Sequence, residues 1–104
     1  MIAAIADRLA DLTALCRRHG VARLDVFGSA ARGADFDEAT SDVDLLVELQ
    51  PEADDLTGFL DLGEALEALL GRPVDLVDRR AVETSRNYIS RRKILDGAIS
   101  VYAA

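Results

Sequence analysis

The chain has 104 residues, half of them apolar by type, with 19 acids against 12 bases and a formal charge of −7. That length fits one domain, residues 1–104, able to bury roughly two-thirds of the surface its unfolded form exposes, with no room for a second. The acidic balance excludes a protein that grips nucleic acid by neutralising phosphates along its surface, while a local site for a small nucleotide is compatible with it. Cys16, the lone cysteine, cannot form an internal disulfide and lies on the apolar side of a helical pattern, where a buried thiol is expected. No apolar run approaches the roughly 20 residues of a membrane span, and the N-terminus lacks a basic region followed by a hydrophobic segment. The expectation is a cytoplasmic protein with no membrane role and no direct nucleic-acid partner.

Residues 2 to 19 carry Ile2, Ile5, Leu9, Leu12 and Cys16 at spacings of three and four, which predicts one amphipathic helix closed by Gly20. Arg17, Arg18 and His19 fill its last turn, where positive groups suit the helix dipole, so the single histidine needs no catalytic role. Val21 to Phe27 reads as a short strand that stops at Gly28. Ser29 then stands where a helix N-cap would stand, before the helix formers Ala30, Ala31 and Arg32. Gly33 to Ser41 is polar, lacks a period and reads as a loop. In residues 42 to 49 Val43, Leu45, Val47 and Leu49 alternate with Asp42, Asp44, Leu46 and Glu48, predicting a strand with one apolar face and the acids on the other.

Pro51 closes that strand, and Asp54, Asp55 and Thr57 offer caps for a helix running to Leu70, buried through Phe59, Leu62, Leu66, Leu69 and Leu70. Gly71, Arg72 and Pro73 end it. Val74 to Val77 is a third strand, and a last helix is expected from Thr84 to Ala98 with Tyr88, Ile89, Leu95 and Ile94 inward, followed by Val101 and Tyr102 packing as a tail. The order predicts a small α/β (α+β) domain, a mixed sheet with helices on one face and acids on the other.

Along a strand, residues i and i+2 share a face with Cα atoms roughly 6.5 to 7 Å apart, so Asp42 and Asp44 can aim at a common ion. Hard carboxylate oxygens favour magnesium or manganese, and a pair of such ions about 3.5 to 4 Å apart serves two-metal phosphoryl chemistry. Asp75 is the best third ligand, with Asp78 the runner-up. Taken alone, an Asp-x-Asp is as readily the solvent face of a half-buried strand. Gly28 and Ser29 add weight, because glycine lets backbone approach a phosphate and the following turn offers N–H groups beside a hydroxyl. There is no Walker-type loop, dinucleotide fingerprint, EF-hand or Ser-His-Asp arrangement.

The runs VFGSAARG, SDVDLLVEL, PVDLVD and ILDGAISVY together resemble the minimal nucleotidyltransferase family of the DNA polymerase beta-like superfamily. The resemblance covers nearly the whole chain. Gly28 and Ser29 match the family's Gly-Ser, Asp42 and Asp44 its Asp-x-Asp, Asp75 its third acid, and Arg32 an arginine common after the Gly-Ser. The spacer from Ala30 to Ser41 is twelve residues where the family has about ten, which implies a longer loop over the site. The resemblance implies a nucleotidyltransferase fold in which Asp42, Asp44 and Asp75 are catalytic and hold two Mg2+ (or Mn2+) ions. It also implies that Gly28, Ser29 and Arg32 bind the nucleoside triphosphate, expected to be ATP. It further implies an antitoxin that transfers AMP to a hydroxyl of a partner, a HEPN-domain toxin. The alternatives are a non-catalytic module that neutralises its partner by covering it, and a small-molecule nucleotidyltransferase completed by a separate chain.

Overall fold

The N-terminal segment does not form one helix. In the computed structural model, which describes residues 1–104, α1 spans Ala3–Ala6 and α2 Leu9–Arg18. The break follows from an anchor: the Ile2 N–H donates to the Ala30 carbonyl at 2.9 Å, and Ile5 is fully buried. With the first turn held there, the helix breaks at Asp7 and Arg8, where Arg8 leaves helical geometry at φ −120° and ψ 21°. Leu9, expected in the core, is therefore exposed, and Leu15 joins Leu12 and Cys16 instead.

The remaining elements are β1 (Val21–Phe27), α3 (Gly28–Arg32), β2 (Val43–Leu49), a 3-10 turn (Pro51–Ala53), α4 (Leu56–Leu70), β3 (Val74–Asp78), α5 (Arg79–Glu83), α6 (Tyr88–Asp96) and β4 (Ile99–Ala103). The sheet order is β3-β2-β1-β4, with β1 antiparallel to both neighbours and β2 parallel to β3. A parallel pair needs a long crossover, which α4 supplies. Asp55 caps α4 as expected, accepting from the Gly58 N–H at 2.7 Å. The expected C-terminal tail is a strand: Tyr102 and Ile99 pair with Leu24 and Val26 of β1.

Alternation in β1 and β2 sets the main core. Val21, Leu24 and Val26 with Val43, Leu45, Val47 and Leu49 pack against Leu12, Leu15 and Cys16 of α2 and Leu62, Leu66 and Leu70 of α4. Burial pushes the Cys16 thiol up to about 11, so it is an inert core group. No helix is long and apolar enough to cross a membrane.

The acids occupy the opposite face, as the alternation predicts, and part of that face carries a second small core. There Phe27, Leu46 and Val82 pack with Val77, Ile94 and Leu95, which explains how Leu46, in phase with the acids, is fully buried. The cover comes from a last helical region that differs from expectation. Asp78 caps α5 directly after β3, accepting from the Arg80 N–H at 3.2 Å, and Asn87 restarts the chain as α6, accepting from the Ser90 N–H at 3.1 Å. Starting at Tyr88 points Ile94 and Leu95 inward and leaves Tyr88 and Ile89, expected inside, 56% and 78% exposed.

Candidate active site

The turn and the acids meet at Gly28. Phe27 ends β1 in extended conformation, and Gly28 follows at φ +67°, a left-handed value that favours glycine. A Cβ placed there would lie 2.5 Å from Asp44 Oδ2. The turn therefore packs directly on the Asp44 carboxylate, and any side chain at position 28 would displace it.

Register assembles the acids. Phe27 faces Asp44 across the antiparallel pair, and Asp44 faces Asp75 across the parallel one. Asp42 stands exposed, one residue before β2 begins. Asp78 is out of phase with them, opposite Val47 and engaged in capping α5, so Asp75 is the third acid by position. Like charges directly opposite one another in a sheet are unfavourable. The cost shows at Asp44, whose pKa is raised above the usual carboxylate value by burial first, then by Asp75 and by Asp42, with Arg32 opposing.

No three His, Cys, Asp or Glu side chains close around a single point as a metal cage. The donors lie instead at two adjacent strand ends and in the residue before one of them. Their chemistry fits a hard divalent cation: every donor is a carboxylate oxygen, their charges repel, and one of them is partly desolvated. A glycine in place of any larger residue keeps the space beside Asp44 Oδ2 clear.

The twelve-residue spacer begins as the end of α3 and continues, after Arg32, as a hydrogen-bonded turn. Asp37 Oδ1 accepts from the Ala39 N–H at 2.9 Å, the Asp37 N–H donates to Ser41 Oγ at 3.0 Å, and Phe36 lies 5.1 Å beneath the Arg72 guanidinium. Arg32 is tied to this loop, its Nη2 and Nε on Asp35 at 2.7 and 3.1 Å. Its charge reaches Asp44, but its hydrogen bonds go to Asp35.

The nucleotidyltransferase domain family matches residues 12–99. The chain belongs to that family. Among curated relatives, the protein adenylyltransferase MntA of Thermococcus cleftensis is 44% identical over 70 residues, covering 67% of this chain and 68% of the relative. A solved structure assigned as a minimal nucleotidyltransferase superposes with a TM-score of 0.70 at 39% identity, covering 91% of this chain and 90% of that one. A chain from the complex of a tri-AMPylated Shewanella oneidensis HEPN toxin with an MNT antitoxin gives a TM-score of 0.62 at 20% identity, covering 96% and 73%. That last likeness shows the fold alone.

Two features of this nucleotidyltransferase domain were missed in the sequence. Asp25, two residues before Phe27, is fully buried and holds Arg79 Nη2 and, at 3.2 Å, Arg23 Nε. The Arg79 side chain is 11% exposed and is structural here, while Arg80 is half exposed and pairs with Asp54 at 2.7 Å on the surface. A charged residue inside an apolar strand was the available signal for Asp25, and nothing in the spacing pointed to a partner 54 positions away. The second feature is a cleft of about 230 Å³ between the Gly28 turn and α6, lined in part by Arg32, Ser90 and Lys93.

Proposed function

We propose that this domain moves AMP from ATP to a hydroxyl of a partner protein, a HEPN-domain toxin, in a magnesium-dependent reaction, and so acts as its antitoxin. The observation that carries the reading is the contact of Gly28 with Asp44, which makes the turn and the acids one site. In this reading Asp42, Asp44 and Asp75 would hold the metal ions. When bound, the ions would neutralise the phosphates and the departing pyrophosphate.

The chain's own residues supply the rest. Backbone N–H groups of the Gly28–Ser29 turn and the Ser29 hydroxyl bind the β and γ phosphates. Asp75, exposed at the sheet margin, accepts the proton as the acceptor oxygen attacks the α-phosphorus. A phosphorus–oxygen bond to the acceptor forms, the bond to pyrophosphate breaks, and no side chain is modified on the way. Positioning and charge neutralisation account for most of such a rate enhancement. The 44% identity to a protein adenylyltransferase supports the choice of AMP and of a protein acceptor. The HEPN complex formed by a protein of the same fold supports the choice of partner.

Purified protein with Mg2+, labelled ATP and the partner encoded beside it should label that partner, and Asp42→Asn should abolish the label. Absence of label with the wild-type chain would sink the proposal. Exposure of Tyr88 and Ile89 on α6 favours one other reading, neutralisation by covering the partner. Protection that survives the Asp42→Asn, Asp44→Asn double variant would decide for it.

A further inference from the structure

Helix α6 presents Ser90, Lys93, Ile94 and Gly97 along one side, the i, i+3, i+4, i+7 spacing of a single face. Ile94 packs with the Phe27 cluster and so fixes this face against the end of β1. Across the cleft stand Gly28 and Arg32. No acid lines the cleft, in a chain that carries seven more acids than bases.

The cations nearby are not equivalent. Arg32 is held by Asp35, Arg92 by Asp96 at 3.1 Å and by the Tyr88 hydroxyl, and Arg91 lies over the Tyr88 ring and donates to the Ser85 carbonyl. Lys93 forms no ion pair. Gly28 thus belongs to two charge environments, packing on the Asp44 carboxylate and lining the same cleft as Lys93, which has no ion-pair partner.

We infer that Lys93, assisted by the Ser90 hydroxyl, is a binding residue for the polyphosphate end of the nucleotide, so that α6 forms the second wall of the triphosphate site opposite the Gly28–Ser29 turn. This rests on the nucleotidyl-transfer reading and adds to it residues from a segment that lies outside the Gly-Ser and Asp-x-Asp motifs. The chemistry is that of a point charge and a hydroxyl donor meeting phosphate oxygens. It divides the neutralisation of a highly charged ligand between two sides: cations held by the acids, and an ammonium fixed by the fold. Arg32, paired with Asp35 in an exposed contact, lines the cleft beside Gly28.

The test is calorimetric titration of the full chain in Mg2+ with ATP and with inorganic tripolyphosphate, and AMP by competition. Lys93→Gln should weaken ATP and tripolyphosphate about tenfold, equivalent to ~1.4 kcal/mol, and leave AMP unchanged. Lys93→Arg should restore most of the loss, and Ser90→Ala should show the same pattern more weakly. Arg92→Gln removes an equal charge one residue away and should bind all three ligands as wild type does. ATP binding by Lys93→Gln equal to wild type would overturn this inference alone, as would an equal loss for AMP or an equal effect of Arg92→Gln. Failure of the wild-type chain to bind ATP would overturn the nucleotidyl-transfer reading along with it.

Discussion

Behind the sheet, Val26, Leu45 and Val47 meet Leu62 and Leu66 of α4 in a layer where every one of these residues is at most 1% exposed. In front, the same two strands carry Asp25, Asp44 and Glu48, relieved only by the small cluster around Phe27, Leu46 and Val82. The rear layer works by apolar area. The front accepts a buried ion pair and three neighbouring carboxylates, arrangements that cost stability when left uncompensated. The difference teaches where each function resides: the rear holds the strands in place, and the front uses that rigidity to keep like charges together.

Substitutions on the two faces should therefore separate activity from stability. The largest effect is expected for Asp44→Asn, which should lower AMP transfer about a thousandfold while the chain stays folded, read from labelling rates beside a melting curve. Next come Leu66→Ala, expected to cost about 3 kcal/mol in denaturant unfolding through the cavity it leaves, and Arg79→Ala, expected to cost about as much because the fully buried Asp25 then keeps only the half-exposed Arg23 as a partner. The pair Asp25→Leu, Arg79→Met should recover most of the latter loss. If it does not, the ion pair contributes to stability outright and the contrast between the faces is weaker than drawn.

Gly28→Ala joins the two faces, since it strains a left-handed position and presses on Asp44 Oδ2. A destabilisation of about 1 to 3 kcal/mol is expected, with loss of Mg2+-dependent stabilisation in thermal titration. The smallest effect concerns pH. Asp44 has a folded pKa raised above its unfolded one, so its contribution to stability is present below the unfolded value, about 3.9, and is lost as pH rises through the folded value. Asp44→Asn should consequently melt above wild type at neutral pH without metal, and the two curves should converge on acidification below about pH 4. Curves that keep a constant separation would show that neither burial nor the neighbouring Asp75 and Asp42 raises the Asp44 pKa.

Much of this was legible in the chain. The period of two in residues 42–49 placed Asp42 and Asp44 opposite the core, and the phase of Val74 and Leu76 placed Asp75 on the same side, because alternation is local and burial enforces it. The features that were not legible depend on contacts distant in sequence. The kink after α1 comes from Ile2 reaching Ala30, and the conversion of the tail into β4 from pairing with β1. The exposure of Tyr88 and Ile89 follows from where Asn87 restarts the helix, a register that the wider stripe from 84 to 98 concealed. Asp25 and Lys93 belong with these cases: Asp25 is the lone acid in a mostly apolar strand and Lys93 one of three consecutive cations, until the fold shows that the first is paired and the second forms no ion pair.

One consequence of the β2–β3 connection concerns access. Because α4 makes that crossover behind the sheet, against Val43, Leu45 and Val47, the chain linking the two acid-bearing strands does not pass over the Asp44–Asp75 pair. A large folded acceptor could bring a side chain up to these carboxylates without waiting for a lid to open. Encounter would then be governed by surface complementarity and diffusion, with no gating step built into this part of the fold.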